Sequence, residues 1–197
     1  MRDKGHKKYS DEELMVLVQD HHSHLAITEL HTRYSVRLLG YFIKMLNKDV
    51  LLAQDFVQEL FLKILEKKHL FDPDKKFYTW VFTVASNMCK TAYRQTGRSV
   101  PFETDKHDQL RSQLAENLAE KELFLEALQE SIHQLEEHHK QVFVLRFLEH
   151  FSLLEVADIT EVSVGTVKSR LFYATQKVAA QLHAFDPRFE STLFKLS

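Results

Sequence analysis

The chain is 197 residues long, carries 26 Lys and Arg against 28 Asp and Glu for a formal net charge of -2, and contains only 4 Gly, 3 Pro and 1 Cys. So few turn-forming residues argue against a turn-rich β architecture and favour an all-α chain of two small helical domains. The single cysteine, Cys89, excludes an internal disulfide and any multi-cysteine metal site, which suits a reducing compartment and a buried apolar role.

The opening stretch MRDKGHKKYS lacks the apolar core of a signal peptide, and no apolar run is long enough to span a bilayer, so a cytoplasmic, soluble protein without membrane insertion is expected. Ser10 or Asp11 is placed to cap a first helix through Leu14, Leu17 and Val18. A second runs from about Leu25 through Leu30, Tyr34, Leu38 and Phe42 to Leu46, closed by Asn47. Residues 49–67 predict a third, amphipathic helix whose apolar stripe is Leu52, Phe56, Leu60 and Ile64, with Asp55, Gln58, Glu59 and Lys63 to its side. Phe71-Asp72-Pro73 stops that pattern. After the short loop 72–76 a fourth helix is expected from about Phe77 to Gln95, ended by Gly97. Phe77, Tyr78, Trp80 and Phe82 cannot all leave one helix toward solvent, and helix geometry favours the core for Trp80. Residues 99–114 read as an extended linker with Pro101 and scattered acids, and two further helical patterns occupy 118–135 and 139–148.

The last element, FSLLEVADITEVSVGTVKSRLFYATQKV at 151–178, reads as a helix-turn-helix. Leu154, Val156, Ala157 and Ile159 are expected to form the apolar face of its first helix, with Ala157 small enough for a second helix to cross close by. Ser163 is placed as an N-cap, and Val167, Leu171, Ala174 and Val178 recur at helical spacing toward the core. Thr166, Lys168, Ser169, Arg170, Tyr173, Gln176 and Lys177 are left outward, a face without an acid that suits a helix in the major groove.

Charge is segregated along the chain. Lys90, Arg94 and Arg98 stand without an acid in residues 86–98, whereas Glu103, Asp105, Asp108, Glu116, Glu120, Glu122, Glu126, Glu130, Glu136 and Glu137 outnumber the cations of residues 99–139. An acidic connector therefore joins two basic reading surfaces. The histidines, among them His21, His22, His24, His138 and His139, read as solvated, since no carboxylate or cysteine spacing completes a metal-ligand set around them.

Taken in order, AQDFVQELFLKIL (53–65), FDPDKKFYTWVFTVASNMCKTAYRQTGRS (71–99) and GTVKSRL (165–171) give the chain a resemblance, over nearly its whole length, to the compact extracytoplasmic-function sigma factors of bacterial RNA polymerase, in the sigma-70 family. The resemblance implies three parts: region 2 at 1–98, a flexible acidic linker at 99–117 and region 4 at 118–197. Region 2 would bind the polymerase clamp coiled coil through Asp49, Asp55, Gln58, Glu59 and Leu62. It would also open the minus-10 element, with Phe71, Asp72, Asp74, Lys75, Lys76 and Asn87 around a flipped base and Lys90, Arg94 and Arg98 on the backbone. Region 4 would meet the polymerase flap and read the minus-35 element with Thr166, Lys168, Ser169, Arg170, Tyr173 and Lys177. The linker would thread toward the active cleft, and a membrane-bound anti-sigma factor is a further partner the family allows. No catalytic residue, cofactor or metal is implied.

The chain departs from the family at the turn, where Thr160 and Glu161 replace the usual leucine and glycine. A left-handed turn conformation is costlier for Glu than for Gly. The stretch LEEHHKQVFVLRF from Leu135 lacks a proline often found there, and YATQKV from Tyr173 carries fewer arginines, which predicts weaker minus-35 binding. A helix-turn-helix regulator that does not bind core polymerase would leave the first half unexplained. A nucleic-acid enzyme or metal-dependent hydrolase would need a carboxylate cluster, nucleophile motif or phosphate loop that the sequence does not carry.

Overall fold

A computed structural model of the chain describes residues 8–47, 49–96 and 116–182. It places eight α-helices in two units: α1 (Asp11–His21), α2 (His24–Met45), α3 (Val50–Glu66) and α4 (Phe77–Thr96), then α5 (Glu116–His133), α6 (Glu137–Phe143), α7 (Leu153–Thr160) and α8 (Val164–Leu182). Gly97, Arg98 and linker residues 99–115 lie outside the described residues, as does any expectation placed on them.

Local chemistry sets each helix start. Ser10 forms a reciprocal capping box with Glu13, Ser23 accepts from the Ala26 amide, and Asp49 accepts from the Leu52 amide at 2.9 Å. α4 begins after Lys76, which offers no cap, and the Phe77 amide instead donates to Glu12 Oε1 of α1 at 3.0 Å. That carboxylate meets the positive end of the helix and ties α4 to α1. Asp11 joins α1 to α2 by pairing with Arg33 at 2.6 Å and accepting from the Tyr34 hydroxyl.

The core of the first unit is aromatic. Tyr41, Phe42, Phe77 and Phe82 are fully buried, with Tyr41 edge-on to Phe82 and Phe42 edge-on to Phe56. At about 1.5–3 kcal/mol for each buried large apolar side chain, this cluster is what holds four short-looped helices together. Leu60 and Ile64 of the expected α3 stripe are buried and Phe56 packs against the core, joined there by Ala53, Val57 and Phe61, while Leu52 is exposed. Leu52 follows the cap by three residues, in the first turn, where the neighbouring helices do not reach it. Burial pushes the Cys89 thiol well above its usual range, which leaves it inert.

In the second unit α8 crosses α5, α6 and α7, and Val167, Leu171, Ala174 and Val178 are all fully buried, as their spacing requires. α6 widens into a π-helical turn, Val144–Leu148, and His150 adopts a left-handed φ of 62° before the Ser152–Glu155 capping box opens α7. The expected apolar face of α7 needs one correction. Leu154 is exposed and Leu153 packs in its place, because the Ser152 cap sets the helical phase so that position 153 lies over the core.

The two units touch through α2 and α4 of the first and α5, α6 and α7 of the second. Lys140 is buried at this contact, its ammonium 2.8 Å from Asn47 Oδ1, and burial pulls it down to about 8. Its folded value lies below its unfolded one, so the unfolded chain holds the extra proton between about pH 8 and about 10.5, and this lysine's contribution to stability must rise across that window. Lys140→Met is expected to be more stable than the parent at pH 7, with the gap closing by up to about 2–3 kcal/mol near pH 10 in parallel urea titrations. A gap that does not change with pH would show that Lys140 is not held with a lowered value.

Candidate functional site

The outer face of α3 combines two chemistries. Leu51, Asp55, Gln58, Leu62 and Leu65 recur at helical spacing, and all are exposed, Leu51 at 76% and Leu62 at 60%. A polar centre is thus flanked by apolar ends on one stripe that its own unit does not use. Glu59 sits beside it, paired with Lys63 at 3.0 Å. Asp49 does two jobs at most, since one carboxylate oxygen already caps the helix.

Loop 72–76 is braced from within and from below. Asp72 Oδ1 accepts from the Asp74 amide at 3.1 Å and the Asp72 carbonyl from the Lys75 amide at 2.9 Å, a turn that needs no outside support. Gln19 of α1 donates to the carbonyls of Lys68 and Phe71 at 2.7 and 2.9 Å, and Lys68 donates back to the carbonyls of Val18 and Gln19. Asp72, Asp74, Lys75 and Lys76 all remain exposed around this fixed base. Phe71 does not stand beside them. It is buried against Phe77 and Trp80, with ring centroids 5.8 and 5.3 Å away, because an extended residue after a helix end drops its side chain into the α1–α4 seam. It can floor a pocket here, but in this arrangement it presents no face to a base. Trp80 is half-buried on the same aromatic cluster, as helix geometry favours.

Farther along α4, Asn87 and Lys90 are partly covered and Arg94 is exposed. Lys90 Nζ lies 3.2 Å from Asn87 Oδ1 and 3.1 Å from the carbonyl of Thr160, at the end of α7. The sequence put all three on one reading surface and did not reveal that Lys90 also holds the end of α7.

On α8, Ser163 accepts from the Thr166 amide at 3.1 Å, the expected cap, and Lys168, Ser169, Tyr173, Gln176 and Lys177 face outward with Thr166 and Arg170 half-buried beside them. The turn before it accepts Glu161 at φ 59°, the strained left-handed conformation expected where the family has glycine. Lys177 is partly engaged, donating to the Gln134 carbonyl at 3.3 Å at the end of α5. Between the start of α6 and the first half of α8 lies a cleft of about 660 Å³ lined by His138, His139, Ser163, Thr166, Arg170 and Tyr173. Burial is the main reason His139 titrates below the usual histidine range, and His138, Lys177 and Arg170 add to it, so the imidazole is neutral at physiological pH.

The fold also supplies the carboxylate that sequence spacing did not. Glu136 comes within 3.5 Å of His138 and 3.9 Å of His139, and the three ligand atoms lie within 4.8 Å of one another. This triad is mostly exposed and stands at the N-terminal end of α6, whose positive end opposes a cation.

Comparisons with known proteins fall on these same segments. The Sigma-70 region 2 family matches residues 30–99 and the Sigma-70, region 4 family matches residues 125–178. The ECF RNA polymerase sigma-E factor of Escherichia coli K12 is 31% identical over 134 residues, covering 63% of this chain and 70% of that protein. The ECF RNA polymerase sigma-E factor of Haemophilus influenzae is 29% identical over 168 residues, covering 78% and 85%. Among solved structures, CnrH in complex with the cytosolic domain of CnrY aligns with a TM-score of 0.65 at 24% identity over 88% of this chain and 97% of that one. The sigma factor RpoE in complex with the anti-sigma factor NepR from Bartonella quintana aligns at 0.63 and 20% identity, over 79% and 95%. At these identities the structures establish the shared two-unit helical fold.

Proposed function

This chain belongs to the extracytoplasmic-function family of RNA polymerase sigma factors, which direct promoter-specific initiation of transcription, and from that premise we propose how its surfaces divide the work. Residues 1–98 dock on core polymerase through the outer stripe of α3 and read and open the minus-10 element with loop 72–76, Asn87, Lys90 and Arg94. Residues 118–197 read the minus-35 element with the outward face of α8, and residues 99–117 connect the two. The protein works in the cytoplasm by binding and positioning, with no chemistry of its own, and an anti-sigma protein is a fitting further partner.

One observation carries this reading: a single chain exposes both an unconsumed apolar-acidic stripe on α3 and an acid-free recognition face on α8. A regulator that ignored core polymerase would have no use for the first. Neutral hydrogen-bonding chemistry supports Asn87 as the base reader, since its amide can both donate and accept on a base edge. The braced loop at the start of the same helix can change sequence without changing shape. Asn87→Ala and a swap of loop residues 74–76 are expected to flatten or shift the base preference at the flipped minus-10 position, with about tenfold less open complex on the preferred base and little change in Tm. Permanganate footprinting on promoters carrying each of the four bases measures this. Retention of the parental preference in both variants would remove Asn87 and the loop from the pocket.

A further inference from the structure

The start of α6 gathers three groups of metal-ligand type that the sigma-factor reading leaves without a task. Glu136 occupies the N-cap position of α6, yet its carboxylate caps no amide. It turns instead to two imidazoles: its Oε2 lies 3.5 Å from His138 Nε2 and 3.9 Å from His139 Nδ1, and the three ligand atoms fall within 4.8 Å of one another. Both distances are longer than a good hydrogen bond, at about 2.7–3.2 Å. Two ligand atoms on one tetrahedral zinc, with bonds of about 2.0–2.1 Å, stand roughly 3.4 Å apart. The spacing is that of a chelate, and drawing the third pair in needs only rotation of the exposed Glu136 and His138 side chains. The backbone beneath is already fixed. The amides of His139 and Lys140 donate to the Glu136 carbonyl at 3.0 and 2.8 Å, and Leu135 and Lys140 on either side are buried, which lowers the cost of ordering the ligands.

Donor chemistry selects the ion. Two imidazole nitrogens and one carboxylate oxygen suit zinc and its first-row neighbours, whereas calcium and magnesium take all-oxygen shells. Three protein ligands leave a further position for water, unlike the four-ligand closure of structural sites. The positive end of α6 opposes a cation with about half an elementary charge, and the Glu136 carboxylate outweighs it with a whole one. The site also borders the outward face of α8. His139 and Tyr173 share the walls of two clefts, one of about 660 Å³ that reaches His138 and Arg170 and one of about 350 Å³ that reaches Glu136 and Lys177, and their rings lie 6.0 Å apart. Arg170 and Lys177 repel a cation there, which holds its affinity below that of a closed site.

We propose that Glu136, His138 and His139 bind one divalent cation of the zinc class, and that the bound ion adds positive charge to the DNA-facing side of α8. The second half rests on the assignment of α8 as the minus-35 reader. Lys168, Arg170 and Lys177 are the cations of that face, so a divalent ion beside them is a large addition to the charge that meets a phosphate backbone. By linkage, DNA on α8 tightens the metal as much as the metal tightens DNA.

The full chain without an affinity tag, stripped with a chelator, is expected to take up one equivalent of Zn²⁺ with a Kd of roughly micromolar order, read by competition with a chromophoric chelator. His138→Gln combined with His139→Gln should weaken that uptake about a hundredfold, since even outer-shell partners of a metal cost about 10- to 100-fold when lost. The chain has 12 histidines, and whatever the others bind is common to parent and variant and cancels. Glu136→Gln, an exposed change that removes no cap, should weaken uptake roughly tenfold and carries the test if the double variant does not fold. Equal uptake by the parent and Glu136→Gln, or displacement of zinc by about 1 mM Mg²⁺, overturns the site. Zinc should then tighten binding of a fluorescent random-sequence duplex of about 20 base pairs roughly threefold to tenfold in the parent and not in the variants, and raise the slope of log affinity against log salt by about one. If zinc leaves duplex binding unchanged while Lys168→Ala weakens it, the link between the site and α8 falls. If Lys168→Ala binds the duplex as the parent does, the assignment of α8 fails instead, and zinc uptake still decides the site.

Discussion

Reversing charge at Asp55 and Glu59 together, each to Lys, is expected to lower affinity for core polymerase roughly a hundredfold, about 2.7 kcal/mol. The stripe on α3 sets that size. Asp55 stands between the exposed Leu51 and Leu62, so a partner that covers the apolar ends must desolvate the carboxylate between them. A lysine there is buried unpaired or faces a like charge, and either outcome costs several times what a rim charge is worth. The fold should lose little: Glu59 gives up an exposed i,i+4 pair with Lys63 at 3.0 Å, worth about 0.3–0.5 kcal/mol, or a few degrees in Tm. A pull-down or fluorescence titration with purified core checks it. Undiminished affinity in a folded double variant would move the polymerase contact off this face.

Arg170→Ala is expected to weaken minus-35 binding by roughly tenfold to a hundredfold and to relax selectivity at one base pair, the loss of a bidentate guanidinium-guanine contact worth about 1–3 kcal/mol. Lys168→Ala should weaken binding to all sequences alike and lower the slope of log affinity against log salt by about one. The difference follows from position: Arg170 is half-buried at the cleft beside His139 and Tyr173, where its fork is steadied, whereas Lys168 projects freely as a point charge. Selection from a randomised duplex pool, repeated at three salt concentrations, distinguishes the two. Identical selectivity and slope in both variants would mean that α8 does not lie in the groove.

Much of the molecule was legible because its signals are local. Helix starts were announced by Ser10 and Ser163, whose side chains bond amides three residues on, while the caps at Asp49 and Ser152 emerged only in the structure. The buried face of α8 was announced by a 3.6-residue repeat, and the strain at Glu161 by a missing glycine. Periodicity places a stripe only to within one helical step, however, so Leu52 and Leu154 were assigned inward and point outward; which neighbour on the turn is buried depends on where the other helices sit. Phe71 is of the same kind: the sequence marks an aromatic beside a loop, while packing on Phe77 and Trp80 makes it a floor beneath that loop rather than an exposed ring.

Sequence by itself determined the all-helical class and the acid-free cationic segments that α4 and α8 carry, since capping, hydrophobic period and charge segregation act over a few residues. Tertiary structure alone decided that Glu149 is buried and that Lys90 holds α7. Arg37 and Glu149 are 112 positions apart, and an acid in a loop reads as solvated until the fold brings its cations to it.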